Sequence, residues 1–134
     1  MTARFYIDSN LLIYYVEGAA DLKSKTVALF ADCLGDGGVL FASEIAAGEC
    51  LIGALRSNGS LASAYRHLLY DSPILSLAPL TLRIVDRAAV IGAELNLKLI
   101  DAIHVATAEA LSCSVFLTND RGIRAPAGIE IRHI

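Results

Sequence analysis

The chain has 134 residues, which suits one domain with a real core, and we expect a single domain over residues 1–134. Hydrophobic residues make up 55% and charged residues 19%, yet no apolar run approaches the ~20 residues of a membrane span. The opening MTARFYIDSN lacks the regions of a signal peptide, so a cytoplasmic protein with no membrane partner is expected. Cys33, Cys50 and Cys113 are scattered and lack CxxC spacing, which argues for small core residues in a reducing compartment and against a zinc site. The net charge of −3 argues at first against nucleic acid as a partner.

In chain order, Arg4–Asp8 reads as a short buried strand and Leu11–Val16 as a helical turn or two, broken by Gly18. Residues 20–34 carry Leu22, Val27, Leu29, Phe30 and Leu34 among polar positions, so a helix is predicted. Gly35-Asp36-Gly37-Gly38 marks a turn before a second strand, Val39–Ala42. Ser43 can cap the next helix, with Glu44 favourable in its first turn, running to about Ser57. After Asn58-Gly59-Ser60 comes a helix over Leu61–Tyr70, ended by Asp71-Ser72-Pro73, then a third strand, Ile74–Leu77. Pro79 fits the first turn of a long helix reaching about Leu95. Asp101–Ser112 is a further helix and Val115–Thr118 a fourth strand. A loop over Asn119–Gly128 precedes a last strand, Ile129–Arg132. Strands alternating with helices mean an α/β fold with a mainly parallel sheet. Strands covered on both faces also explain the apolar excess.

Four acids stand out at the ends of these elements: Asp8, Glu49, Asp101 and Asp120. Asp8 closes the first strand, where ligands of open parallel sheets bind, although aspartate also caps turns well. Asp120 holds the equivalent place after the fourth strand, in Asn-Asp-Arg-Gly, which is also good turn chemistry. Glu49 has Ile45, Ala46, Ile52 and Gly53 as its helical neighbours, so no i,i+4 salt bridge is available. Beside an apolar face it needs a cation, a hydrogen-bond donor or an edge open to water. Asp101 begins a helix of small apolar residues, either as a cap or as an acid held rigidly at the rim of the sheet. His104 follows on the same face, and a histidine on a packed helix is more often a hydrogen-bonded structural group than a base. No Ser-His-Asp spacing and no glycine-rich phosphate loop is present.

The segments FYIDSNLLIYYVE, FASEIAAGECL, LKLIDAIHVATAEA and FLTNDRGIR resemble a PIN domain, in particular a stand-alone toxin ribonuclease of the VapC type. The resemblance covers nearly the whole chain, and DAIHVATA preceded by Leu-Lys-Leu-Ile is its most specific part. The family's acids match Asp8, Glu49, Asp101 and Asp120, its polar residue two after the first aspartate matches Asn10, and its supporting Ser or Thr matches Thr118. His104 matches a position often occupied by histidine but not treated as catalytic. Ile123 replaces an aromatic common after the fourth acid. The resemblance implies a three-layer α/β/α sandwich with a five-stranded, mainly parallel sheet in the order 3-2-1-4-5. It also implies a homodimer, a cognate antitoxin of a type II toxin–antitoxin system, and endoribonuclease activity dependent on Mg²⁺ or Mn²⁺. Hydrolysis of RNA phosphodiester bonds would use a metal-activated water and leave a 5′-phosphate and a 3′-hydroxyl.

The chemistry is consistent with that implication. Each pair of carboxylates near 4 Å costs about 4 kcal/mol at an effective dielectric of 20, and all-oxygen ligation suits Mg²⁺ or Mn²⁺. The four acids then act as direct or water-mediated ligands, with Asn10 and Thr118 orienting them. Setting these four aside from 14 acidic residues leaves 10 against 11 basic ones, so net charge neither supports nor excludes an anionic substrate. Arg121 and Arg124 are candidates for phosphate contacts, as is Lys98 at lower odds. One rival is a haloacid-dehalogenase-type phosphatase, which needs a second acid where Asn10 stands and a lysine before an acidic pair that is missing. The other is a PIN-like binding module that has lost catalysis, against which the full set of four acids argues.

Overall fold

A computed structural model describes residues 2–134. Strands β1 (Arg4–Ile7), β2 (Val39–Ser43), β3 (Leu75–Ala78), β4 (Val115–Thr118) and β5 (Glu130–His133) form one five-stranded sheet in the order β3-β2-β1-β4-β5. Every neighbouring pair is parallel, so the sheet is wholly rather than mainly parallel. Parallel neighbours need long crossovers, and most are helical here. Helices α1 (Ser9–Glu17) and α2 (Ala20–Gly35) join β1 to β2, and α3 (Glu44–Ser57) and α4 (Gly59–Arg66) lead towards β3. Helices α5 (Leu82–Leu95) and α6 (Leu99–Ala110) join β3 to β4.

Alternation along the strands divides the interior into two cores. Ile7, Leu40, Ala42, Val115 and Leu117 face one side, against Leu11, Leu12, Phe30, Ala46, Ala54 and Tyr65. Tyr6 and Phe116 face the other, against Ile84, Ala88, Ile91, Ala102 and Val105. This is the expected α/β/α sandwich. Ile123 is buried in the second core. The three cysteines are buried and free. Among the described residues, no helix is long and apolar enough to cross a membrane.

Several element ends differ from the sequence reading, each for a local reason. Asp8 leaves the first strand and caps α1, accepting a hydrogen bond from Ser9 N. Pro79 lies outside the following helix: Thr81 caps α5, its hydroxyl accepting from Ile84 N at 3.2 Å. The helix expected over Leu61–Tyr70 begins earlier, behind the Asn58 cap. It ends in a π turn, His67–Asp71. Helix α6 starts at Leu99, so Asp101 lies in its first turn rather than at its cap. There its charge meets the positive end of the helix dipole. Between α2 and β2, Gly37 takes φ +78°, and a Cβ on Gly38 would lie 2.7 Å from the Phe5 ring, so the glycine run is needed for both turn and close approach.

Strand β1 has β2 on one side and β4 on the other. The chain builds outward from β1 through β2 to β3, then crosses to begin again at β4. A crevice opens at such a reversal, at the carboxyl ends of the strands. Asp8 and Asp120 follow the two strands that border it.

Candidate active site

The site begins with Asp8, which is only 5% exposed. Pairing of Ile7 with Leu117 brings the residue after β1 beside the end of β4, and Asp8 N donates to Leu117 O at 3.0 Å. Its carboxylate is held on both oxygens. Oδ1 accepts from Ser9 N at 2.8 Å, while Oδ2 accepts from Thr118 Oγ1 at 2.7 Å and Asn10 Nδ2 at 3.3 Å. Asn10 also accepts from Asn119 N at 3.1 Å, tying α1 to the loop that carries Asp120. Thr118 Oγ1 in turn accepts from Asp120 N at 2.9 Å.

Glu49 reaches the same rim from α3, with 37% of its side chain exposed. The donors it lacks within its own helix come from distant segments. Ser9 Oγ and His104 Nε2 each lie 2.7 Å from its Oε1. Burial pushes the Glu49 carboxyl upward, but the hydrogen bonds from His104 and Ser9 outweigh it and hold the group below its ordinary value. His104 itself is 1% exposed, with Nδ1 2.6 Å from the Tyr6 hydroxyl.

Asp101 completes the set from the first turn of α6, and Asp120 from the loop after β4. Burial raises the Asp101 carboxyl above its ordinary value, and the charges of Asp120, Asp8 and Glu49 raise it further against the opposing charge of His104. The other three acids therefore all bear on Asp101. Asp120 is exposed, and its Oδ1 also accepts from Gly122 N at 2.8 Å, so its turn-forming role is real as well. Among the described residues, no lysine or arginine pairs with any of the four; the basic side chain that reaches them is the His104 ring, 2.7 Å from Glu49 and 3.7 Å from Asp8.

An all-oxygen set with mutual repulsion and no basic partner suits a hard divalent cation. Among the described residues, no three His, Cys, Asp or Glu side chains stand close enough to ligate one ion together as placed. Waters retained by a hard ion can bridge that gap. The chemistry of the donor set therefore fits a hard divalent cation, for which water would have to complete the ligation. One surface groove of about 400 Å³ lies between α1, α2 and α4, lined by residues including Tyr15, Val27 and Leu68. The acids instead occupy the rim of the sheet.

Arg121, which follows Asp120 in the chain, and Lys98, which precedes α6, are both exposed. Arg124 is exposed too, but its Nη1 donates to Leu95 O at 2.8 Å, so it closes the end of α5. Ser9 and Tyr6 escaped the sequence reading. Ser9 follows a strand-end acid at a helix start, a place from which a hydroxyl can serve the rim, and that signal was available. Tyr6 carried none: its partner His104 is 98 residues away.

The PIN domain family model matches residues 5–129 of the chain. No curated protein matches it. Among solved structures it is similar to a chain of VapBC2 from Rickettsia felis, bound to a promoter DNA fragment, with 14% identity and a TM-score of 0.70. That match covers 97% of this chain and 98% of the other. A chain of a toxin–antitoxin complex from Klebsiella pneumoniae aligns at 23% identity and a TM-score of 0.70, covering 96% and 95%. VapC20 from Mycobacterium tuberculosis, a sarcin-ricin loop cleaving toxin, aligns at 16% identity and a TM-score of 0.68, covering 84% and 86%.

Proposed function

The chain belongs to the PIN domain family, and we propose that it is a divalent-metal-dependent endoribonuclease, the toxin of a type II toxin–antitoxin pair. The observation that supports this reading is that Asp8, Glu49 and Asp120, from separate segments, all bear on the Asp101 carboxyl at the crevice beside β1 and β4, with no lysine or arginine paired to any of them among the described residues. Structural neighbours described as VapBC complexes and as a sarcin-ricin loop cleaving toxin support the toxin assignment. We take residues 1–134 as a single PIN domain acting in the cytoplasm as a homodimer, with RNA as substrate and a cognate antitoxin as inhibitor.

Asp8, Glu49, Asp101 and Asp120 would hold Mg²⁺ or Mn²⁺, directly or through water. When bound, such an ion neutralises the carboxylates, makes a water more acidic and stabilises charge at the reacting phosphate. The protein's own part is positional. Thr118 and Asn10 fix Asp8 through Oδ2, the Ser9 amide fixes it through Oδ1, and Asn10 also anchors the Asp120 loop. One of the acids orients the attacking water. Its oxygen bonds to phosphorus, the bond from phosphorus to the 3′-oxygen breaks, and a proton ends on that oxygen. A 5′-phosphate and a 3′-hydroxyl result. Arg121 is the best placed arginine for a neighbouring phosphate, since Arg124 is engaged with Leu95.

Purified protein should cut RNA in Mg²⁺ or Mn²⁺, stop in EDTA, and leave 5′-phosphate ends. Asp8→Asn should keep the fold and reduce cutting to background. Undiminished cleavage by that variant would sink the assignment, and a folded wild type that binds RNA without cutting it would favour the inactive binding module.

A further inference from the structure

We propose that His104 is a positioning residue which, with Ser9, fixes the Glu49 carboxylate in one orientation, Nε2 carrying the ring proton and Nδ1 accepting from Tyr6. The proposal rests on the nuclease reading of this site and adds to it the group that aims one of its acids.

Both hydrogen bonds to Glu49 fall on Oε1, so Oε2 is the oxygen a ligand would take. An ionised carboxylate only accepts, so the 2.7 Å contact requires a proton on His104 Nε2. The other end of the ring points to the same tautomer. Tyr6 is fully buried, and its hydroxyl has the His104 ring nitrogen as its partner. A phenol carries its proton at neutral pH and can donate it to Nδ1 across 2.6 Å.

The chain of bonds is rigid. The Tyr6 ring stacks on Phe116 with centroids 5.0 Å apart and planes at 22°, and meets the His104 ring edge-on at 5.8 Å. Tyr6 comes from β1, His104 from α6 and Glu49 from α3. Three layers are thus linked through polar atoms buried beneath the acidic rim. Ser9 closes the arrangement, because its amide holds Asp8 while its hydroxyl holds Glu49. An outer group of this kind, which sets the tautomer and aim of a ligand, affects affinity or activity by roughly 10–100-fold when removed.

The test pairs a spectroscopic with a kinetic readout on the whole chain. Nitrogen-15 NMR of the metal-free wild type at neutral pH should show His104 protonated at Nε2 and bare at Nδ1. Tyr6→Phe, which keeps the ring packing, should lose that single pattern. It should also lower kcat for RNA by about tenfold or more while KM changes little. Ser9→Ala should weaken Mn²⁺ binding by about tenfold. A proton on Nδ1 in the wild type would overturn the proposal. So would a Tyr6→Phe variant that is less stable yet has an unchanged kcat, since the pair would then be structural only. If the wild type cuts no RNA, the nuclease reading fails and the ring-nitrogen signals still decide the tautomer.

Discussion

Asp101 is the acid whose surroundings oppose its charge most clearly. Burial comes first, then the negative charges of Asp120, Asp8 and Glu49, with only His104 against them. A carboxyl raised in the folded state stabilises the fold below its unfolded value and loses that contribution as pH rises through the folded one. In EDTA, Asp101→Asn should therefore melt higher than the wild type at neutral pH. The advantage should vanish below the ordinary aspartate range. A variant less stable than the wild type at pH 7 would contradict the shared field. The acids themselves were legible in the sequence, because each lies where an element ends or where no partner is within helical reach. Their supports were less so. Asn10 and Thr118 came only through family resemblance, and Glu49 finds its imidazole 55 residues away, a contact that no local pattern encodes.

Element starts decide how these acids are aimed, and here the sequence was harder to read. Pro79 looked like the first turn of a helix, but two residues on, Thr81 offers a hydroxyl to the Ile84 amide and α5 begins behind that cap, at Leu82. A side chain that satisfies an orphan amide prevails over a residue that merely tolerates its absence. Thr81→Ala should lower the unfolding free energy by about 1 kcal/mol, measured by urea denaturation, while Pro79→Ala should have a smaller effect. Equal losses would restore Pro79 as the helix start. The two-residue difference at α6 has the opposite origin. Its cap, Lys98, contributes no side-chain bond, so nothing in the sequence marked the boundary, and the first acid drew the reading to itself. The fold class did not depend on these ends. The alternation of strands and helices survived each shift of two or three residues.

At the scale of the whole molecule, the strand order places β1 and β4 side by side and so brings together acids separated by more than a hundred positions. Topology was not derivable from periodicity; only resemblance supplied the order. If the four acids hold one divalent ion, that ion joins α1, α3, α6 and the loop after β4, and must stabilise the fold that assembles them. A ligand at about 100 times its dissociation constant adds about 2.7 kcal/mol. The deciding measurement is the melting temperature with and without millimolar Mn²⁺, for the wild type and for Asp8→Asn. The wild type should melt several degrees higher with Mn²⁺, and Asp8→Asn should show a clearly smaller rise. Equal shifts in the two proteins, or none in the wild type, would contradict a metal site built on Asp8.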